Sequence, residues 1–118
     1  LLLVVGLLGT PVLGQPGDVV ALQRVAAGDR IGTAVAVSQR FFPTADHVVL
    51  ARADGFADAL AGSPLAGLRG APVLLTTPSA LPTAVGEEIA RLGATAATIL
   101  GGEAAVGEAV ADQLRAAG

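Results

Sequence analysis

The sequence predicts an α/β domain of three layers, a parallel sheet flanked by helices. Val48-Val49-Leu50-Ala51 and Val73-Leu74-Leu75 are short aliphatic runs bounded by turn residues, as strands buried on both faces are. Between them lie about twenty residues rich in Ala, Leu and Gly, room for the crossover helix that parallel pairing requires. A third apolar run at residues 96–100 sits between two stretches of helical spacing, which extends the alternation.

Composition narrows the class. A chain of 118 residues holds one small domain with a core of its own. Hydrophobic residues make up 53% and charged residues 14%, which excludes a disordered chain. Aromatics are 3%, so the core is packed from Val, Leu, Ile and Ala. Without Cys there is neither a disulfide framework nor a thiolate metal site. The net charge is −3 and every basic residue is Arg, which argues against a nucleic-acid footprint. Acidic residues gather late, at Glu87, Glu88, Glu103, Glu108 and Asp112, and read as solvated helix faces.

Residues 1–14 are apolar and uncharged, and Gly6, Gly9 and Pro11 break them too often for a bilayer span. They read as the h-region of a secretory signal peptide, truncated because a basic n-region and an initiator Met are missing. Val12-Leu13-Gly14 is the small-residue cleavage site on this reading. A buried strand or hydrophobic linker is the alternative. Residues 15–23 form a linker or edge strand, opening with the turn Gln15-Pro16-Gly17-Asp18. A weak strand pattern covers residues 19–26. The domain proper is residues 24–118.

Gly28-Asp29-Arg30-Ile31-Gly32 reads as a loop leading to Thr33 as N-cap. Ala34, Val37 and Phe41 then give a helix its buried stripe, and Phe42-Pro43 ends it. After the strand at Val48, a second helix opens near Asp54 or Gly55. Leu60, Ala61, Leu65 and Leu68 leave it little polar face, so it reads as sandwiched, and Pro64 should kink or split it. The second strand, residues 73–76, is entered through Pro72. Pro82 suits the first position of a third helix, with Val85, Ile89 and Leu92 as its buried face. Glu87 and Arg91 are spaced for an outward i,i+4 pair, and Gly93 for the stop. Residues 96–100 form the third strand, Gly101-Gly102 a tight turn, and Val106, Val110 and Leu114 the stripe of a last helix.

In an open parallel sheet, ligands gather outside the carboxyl ends of the strands. Those ends carry Arg52, Asp54 and Asp58, then Thr76 and Thr77, then Gly101, Gly102 and Glu103. The glycine pair could present N–H groups to an anion, but a tight turn alone accounts for it. Asp54 suits a helix cap, and Asp58 suits pairing with a helix N-terminus or with Arg30 or Arg52. Enzyme signatures are missing. His47 is the single histidine, Ser63 lies outside a G-x-S-x-G elbow, and neither a G-x-G-x-x-G nor a Walker A lysine occurs. The expectation is a domain without catalysis, cofactor or metal.

The wording of the chain also resembles the cell wall-binding repeat type 2 family of Gram-positive bacteria, over about residues 24–114. Arg24-Val25, Gly28-Asp29-Arg30 and Thr33-Ala34 are similar to its opening pattern R-I-x-G-x-D-R-Y-x-T-A. Val49-Leu50-Ala51, Phe56, Asp58-Ala59-Leu60 and Pro64-Leu65-Ala66 resemble its central block. Ala71-Pro72-Val73-Leu74-Leu75-Thr76 is similar to its A-P-I-L-L-T stretch, and Leu92-Gly93, Ile99-Leu100-Gly101-Gly102 and Ala105-Val106 resemble its closing block.

The resemblance implies a secreted, non-catalytic surface module that holds an anionic cell-wall polymer, often beside a separate catalytic domain. It implies a Toprim-like, Rossmann-like α/β fold, with three repeats packed around a pseudo-threefold axis. It also implies ligand contact at Arg30 and through Pro72, Val73, Leu74 and Leu75. The apolar motif reads as a buried strand, so its part is indirect, through the shape of an inter-repeat groove. Arg30 and Arg52 are the physically sensible partners of phosphate, with Asp58 beside them.

Two departures stand out. Ile31 occupies a position where the family often has Tyr, and a single repeat is present, so a groove between repeats requires a homo-oligomer (a trimer) or neighbouring repeats of a longer chain. A structural alternative is a self-association repeat in a larger surface protein, or an accessory to a cell-wall hydrolase, in which Asp58, Pro72 and Leu74 only stabilise an interface. A metal-dependent phosphate-ester enzyme using Asp54, Asp58 and Glu103 is the weakest reading.

Overall fold

The computed structural model describes residues 2–4 and 20–117. The elements are β1 (Leu2–Val4), β2 (Gln23–Val25), α1 (Arg30–Phe41), β3 (His47–Arg52), α2 (Phe56–Arg69), β4 (Val73–Thr76), α3 (Thr83–Leu92), β5 (Ala96–Ile99) and α4 (Glu108–Ala116). β1 and β2 form an antiparallel pair of their own, with Leu3 opposite Arg24. The cleavage site expected at residues 12–14 and the turn at residues 15–18 lie outside the described residues.

The main sheet has the order β4-β3-β5, parallel throughout. β3 is central, so its two connections run in opposite directions: α2 carries the chain to β4, and α3 carries it back past β3 to β5. Both crossovers are expected to be right-handed, which puts α2 and α3 on opposite faces. The cores agree. Val48, Leu50 and Leu74 meet Val35 of α1, Val85 and Leu92 of α3, and Val110 of α4. Val49 on the other face meets Ala66 of α2 and Ala71, with Leu65, Val73 and Leu100 around them. This is the expected three-layer α/β domain.

Several local expectations change. Asp29 rather than Thr33 caps α1, because its extended backbone lets its Oδ1 accept from the Gly32 N–H at 2.7 Å. Thr33 instead accepts from the Ala27 N–H at 3.1 Å and pins the incoming chain. The buried face of α1 is Val35, Ala36 and Ser38, while Val37 and Phe41 are exposed. A small hydroxyl outcompetes larger apolar residues for the core because a partner awaits it there. That partner is Glu88 of α3, 2% exposed. Arg91 therefore pairs with Glu88 and not with Glu87. Its Nε donates to Oε1 at 2.7 Å and its Nη2 to Oε2 at 2.6 Å.

α2 runs unbroken through Pro64. The carbonyl four residues earlier belongs to Leu60, which faces solvent, so the missing N–H orphans nothing buried. α2 is not sandwiched within this chain: Leu60 is 67% and Leu68 88% exposed. Pro82 is the N-cap of α3 rather than its first residue. Gly93 ends α3 in the left-handed region at φ 73°, as the turn chemistry demands.

Candidate functional site

Where a parallel sheet sends successive helices to opposite faces, the carboxyl ends of neighbouring strands part and leave a crevice. Here that point lies between β3, followed by α2 on one face, and β5, followed by α4 on the other. Its rim is built from Arg52, Ala53 and Asp54 on one side and from Leu100, Gly101 and Gly102 on the other. The N-terminus of α1 brings Arg30 to the same end of β3 from the β4 side.

Ala53 is the anchor of this rim. Its N–H donates to the Thr76 carbonyl at 2.8 Å, extending the sheet by one rung. Its own carbonyl accepts from Arg30 Nη1 at 2.7 Å, which fastens α1 to the end of β3. Arg52 and Asp54 flank it and form a two-point pair, Nε to Oδ1 at 2.6 Å and Nη2 to Oδ2 at 2.9 Å. The Arg52 hydrogen bonds, with the charges of Arg52 and Arg30, hold the Asp54 carboxyl below the usual carboxylate range. Asp54 in turn raises Arg52 above the ordinary guanidinium value. Asp29, Arg30, Ile31, Ala53 and Asp54 line one shallow depression.

Asp58 stands in the first turn of α2 and faces across the crevice to β5. A Cβ added at Gly101 would lie 3.0 Å from Asp58 Oδ2 and 2.8 Å from the Ala105 Cβ. Gly101 also holds φ at 89°. Glycine is therefore needed there twice over, for close approach and for backbone sign. Asp58 joins the same charged edge, close enough for its field to act on Arg52.

The Pro72 to Leu75 motif lies on the neighbouring strand. It forms the entry and body of β4: Pro72 and Leu74 are buried, Val73 and Leu75 half-buried. Leu74 has no exposed surface with which to touch a ligand. Thr76 is buried as well, its hydroxyl donating to the Thr77 and Ala80 carbonyls. Glu103 is exposed. Among the described residues, no three His, Asp or Glu side chains gather as a metal centre. The structure thus brings Arg30, Arg52, Asp54 and Asp58 to one edge and places the apolar motif in and beside β4, buried or half-buried. The backbone carbonyl of Ala53 has no signature in sequence. Asp29 could have been recognised by its place one turn ahead of the helical stripe.

Fold and edge define the class: a small three-layer α/β module that presents guanidinium and carboxylate groups at the carboxyl edge of a parallel sheet. Residues 24–111 match Cell wall binding domain 2 (CWB2), and the chain belongs to that family. It is similar to the N-acetylmuramoyl-L-alanine amidase LytC of Bacillus subtilis (strain 168), 31% identical over 98 residues, 83% of this chain and 20% of that protein. It is also similar to the Amidase enhancer of the same organism, 34% identical over 103 residues, 86% of this chain and 15% of that protein. The chain thus spans a fifth or less of these curated relatives. Cwp8 from Clostridium difficile superposes with a TM-score of 0.74 at 31% identity, covering 78% of this chain and 17% of that one. Cwp6 from Clostridium difficile gives 0.73 at 24% identity, covering 88% and 18%, a likeness of fold.

Proposed function

We propose that this domain is a non-catalytic anchor that holds the polypeptide carrying it at the cell wall by gripping an anionic wall polymer. The observation that carries the reading is membership of the cell wall binding family across residues 24–111. The chemistry of the crevice supports it. Arg30 donates to the Ala53 carbonyl and Arg52 to the neighbouring Asp54, and guanidinium is the side chain best matched to phosphate oxygens. The reading implies a secreted protein at the cell surface, with any catalysis carried by another part of a longer chain.

Co-sedimentation with isolated cell walls tests it, before and after the walls are stripped of their anionic polymers. Pelleting that vanishes on stripping is the expected result. Pelleting that survives stripping would refute the polymer as ligand. A second reading, a self-associating repeat, is favoured by the leucines on the outer face of α2, Leu60 and Leu68. Light scattering without ligand separates the two: a concentration-dependent trimer lost in Leu68→Glu supports self-association, and a monomer at all concentrations rejects it.

A further inference from the structure

We propose that Asp54 is a built-in competitor for the anion site: its carboxylate occupies the fork of Arg52 that an incoming phosphate would take. The proposal rests on reading this edge as anion-binding. The two-point geometry, 2.6 Å and 2.9 Å, is the one by which a guanidinium recognises carboxylate and phosphate alike. Arg52 is seated for it. Its side chain lies across Gly55, where a Cβ would come within 3.2 Å of Nε and 3.4 Å of Cδ.

The pair is at the surface, with side chains 35% and 57% exposed, so a ligand can reach it and exchange with Asp54. The charge count points the same way. Asp29, Asp54 and Asp58 stand around Arg30 and Arg52, so three carboxylates face two guanidiniums. Only when Asp54 leaves the fork do two guanidiniums stand against two carboxylates, with the donors of Arg52 free to take an anion. An intramolecular carboxylate acts at millimolar effective concentration, so a lone monovalent anion competes poorly. A polymer with phosphates repeated along it rebinds at each departure of Asp54. The clamp weakens both by the same factor, and the polymer holds in spite of it through its repeated phosphates.

The test titrates the full chain with poly(glycerol phosphate) and, separately, with bis(glycerol) phosphate, a monomeric diester that carries one charge. It compares the wild type with Asp54→Asn, Arg52→Gln and the double variant. Asp54→Asn should bind the polymer roughly two- to fivefold more tightly, the range released by an exposed ion pair. Its gain for the monomer should be the same within about twofold, because one competitor is removed from one fork in both cases. Arg52→Gln should abolish the gain. In the ligand-free protein, the Arg52 Nε–H resonance should exchange faster with water in Asp54→Asn. Equal or weaker polymer binding by a folded Asp54→Asn, while the wild type still pellets with walls, overturns the clamp alone. Failure of the wild type and every variant both to pellet and to bind polymer overturns the anchor reading and the clamp together.

Discussion

Replacing Glu88 by Ala should cost this domain about 2–4 kcal/mol of folding stability. Glu88 is 2% exposed and joins three parts of the fold. It accepts from the Ser38 hydroxyl of α1 and from Arg91 of its own helix. Arg91 donates onward to the carbonyls of Phe42 at 2.7 Å and Pro43 at 3.2 Å, closing the end of α1. Breaking a buried pair typically costs about 3–5 kcal/mol, but Arg91 is 36% exposed and can turn to water. The larger share falls on Ser38, which is fully buried and would be left without an acceptor, at about 1–3 kcal/mol. Ser38→Ala in the same chain should therefore recover part of the loss.

The charge of Glu88 has a sign of its own. Burial alone would raise its pKa, but hydrogen bonds from Arg91 and Ser38 and the Arg91 charge outweigh it and hold the carboxyl below the usual glutamate range. A depressed folded pKa stabilises the fold above the unfolded value, and that stabilisation is lost as pH falls through the folded value. Wild type should weaken on acidification below about pH 4.5, and Glu88→Gln should weaken less steeply. Urea unfolding followed by far-UV circular dichroism is the assay, since the chain has neither Trp nor Tyr. A Glu88→Ala loss under about 0.5 kcal/mol, or parallel pH profiles for wild type and Glu88→Gln, would show that the network contributes little.

Asp29→Ala removes the N-cap of α1 and should cost about 1 kcal/mol in the same urea assay. Gly101→Ala meets both a positive φ and a 2.8 Å contact and should cost about 1–3 kcal/mol, against under about 0.5 kcal/mol for Gly102→Ala, where space is open; thermal melts of the two rank them. Leu74→Ala should lose about 2–5 kcal/mol through its cavity, whereas Arg30→Ala should keep a near-native Tm and lose wall pelleting. If Leu74→Ala proved stable but defective in pelleting, the apolar motif would be a contact and not scaffold.

The alternation of helix and strand was legible because unbroken aliphatic runs survive only where both faces are covered. Residues 73–76 match β4, and the expected run at residues 96–100 exceeds β5 by one residue. Helix faces were less legible. Periodicity assigns the core to Val37 and Phe41, yet Ser38 lies inside because an acid fifty residues away receives its hydroxyl. The same long-range contact redirects Arg91 from Glu87 to Glu88. At the candidate site, strand ends and resemblance point to Arg30 and Arg52, but the bond from Arg30 to the Ala53 carbonyl, next in the chain to Arg52, is a backbone contact that no side-chain pattern announces.

The central position of β3 also orders the folding of the domain in time. Val49 meets Val73 24 residues on, whereas Leu50 meets Ile99 only after 49. Doubling the closed loop adds about 0.6 kcal/mol of entropy to the second pairing. The β3-α2-β4 unit can therefore assemble as a local nucleus, and β5 joins it late. Arg52, Asp54 and Asp58 belong to the early unit, while Gly101, which completes the crevice, arrives with the last strand. The ion pair between Arg52 and Asp54 can form before the crevice that it guards exists.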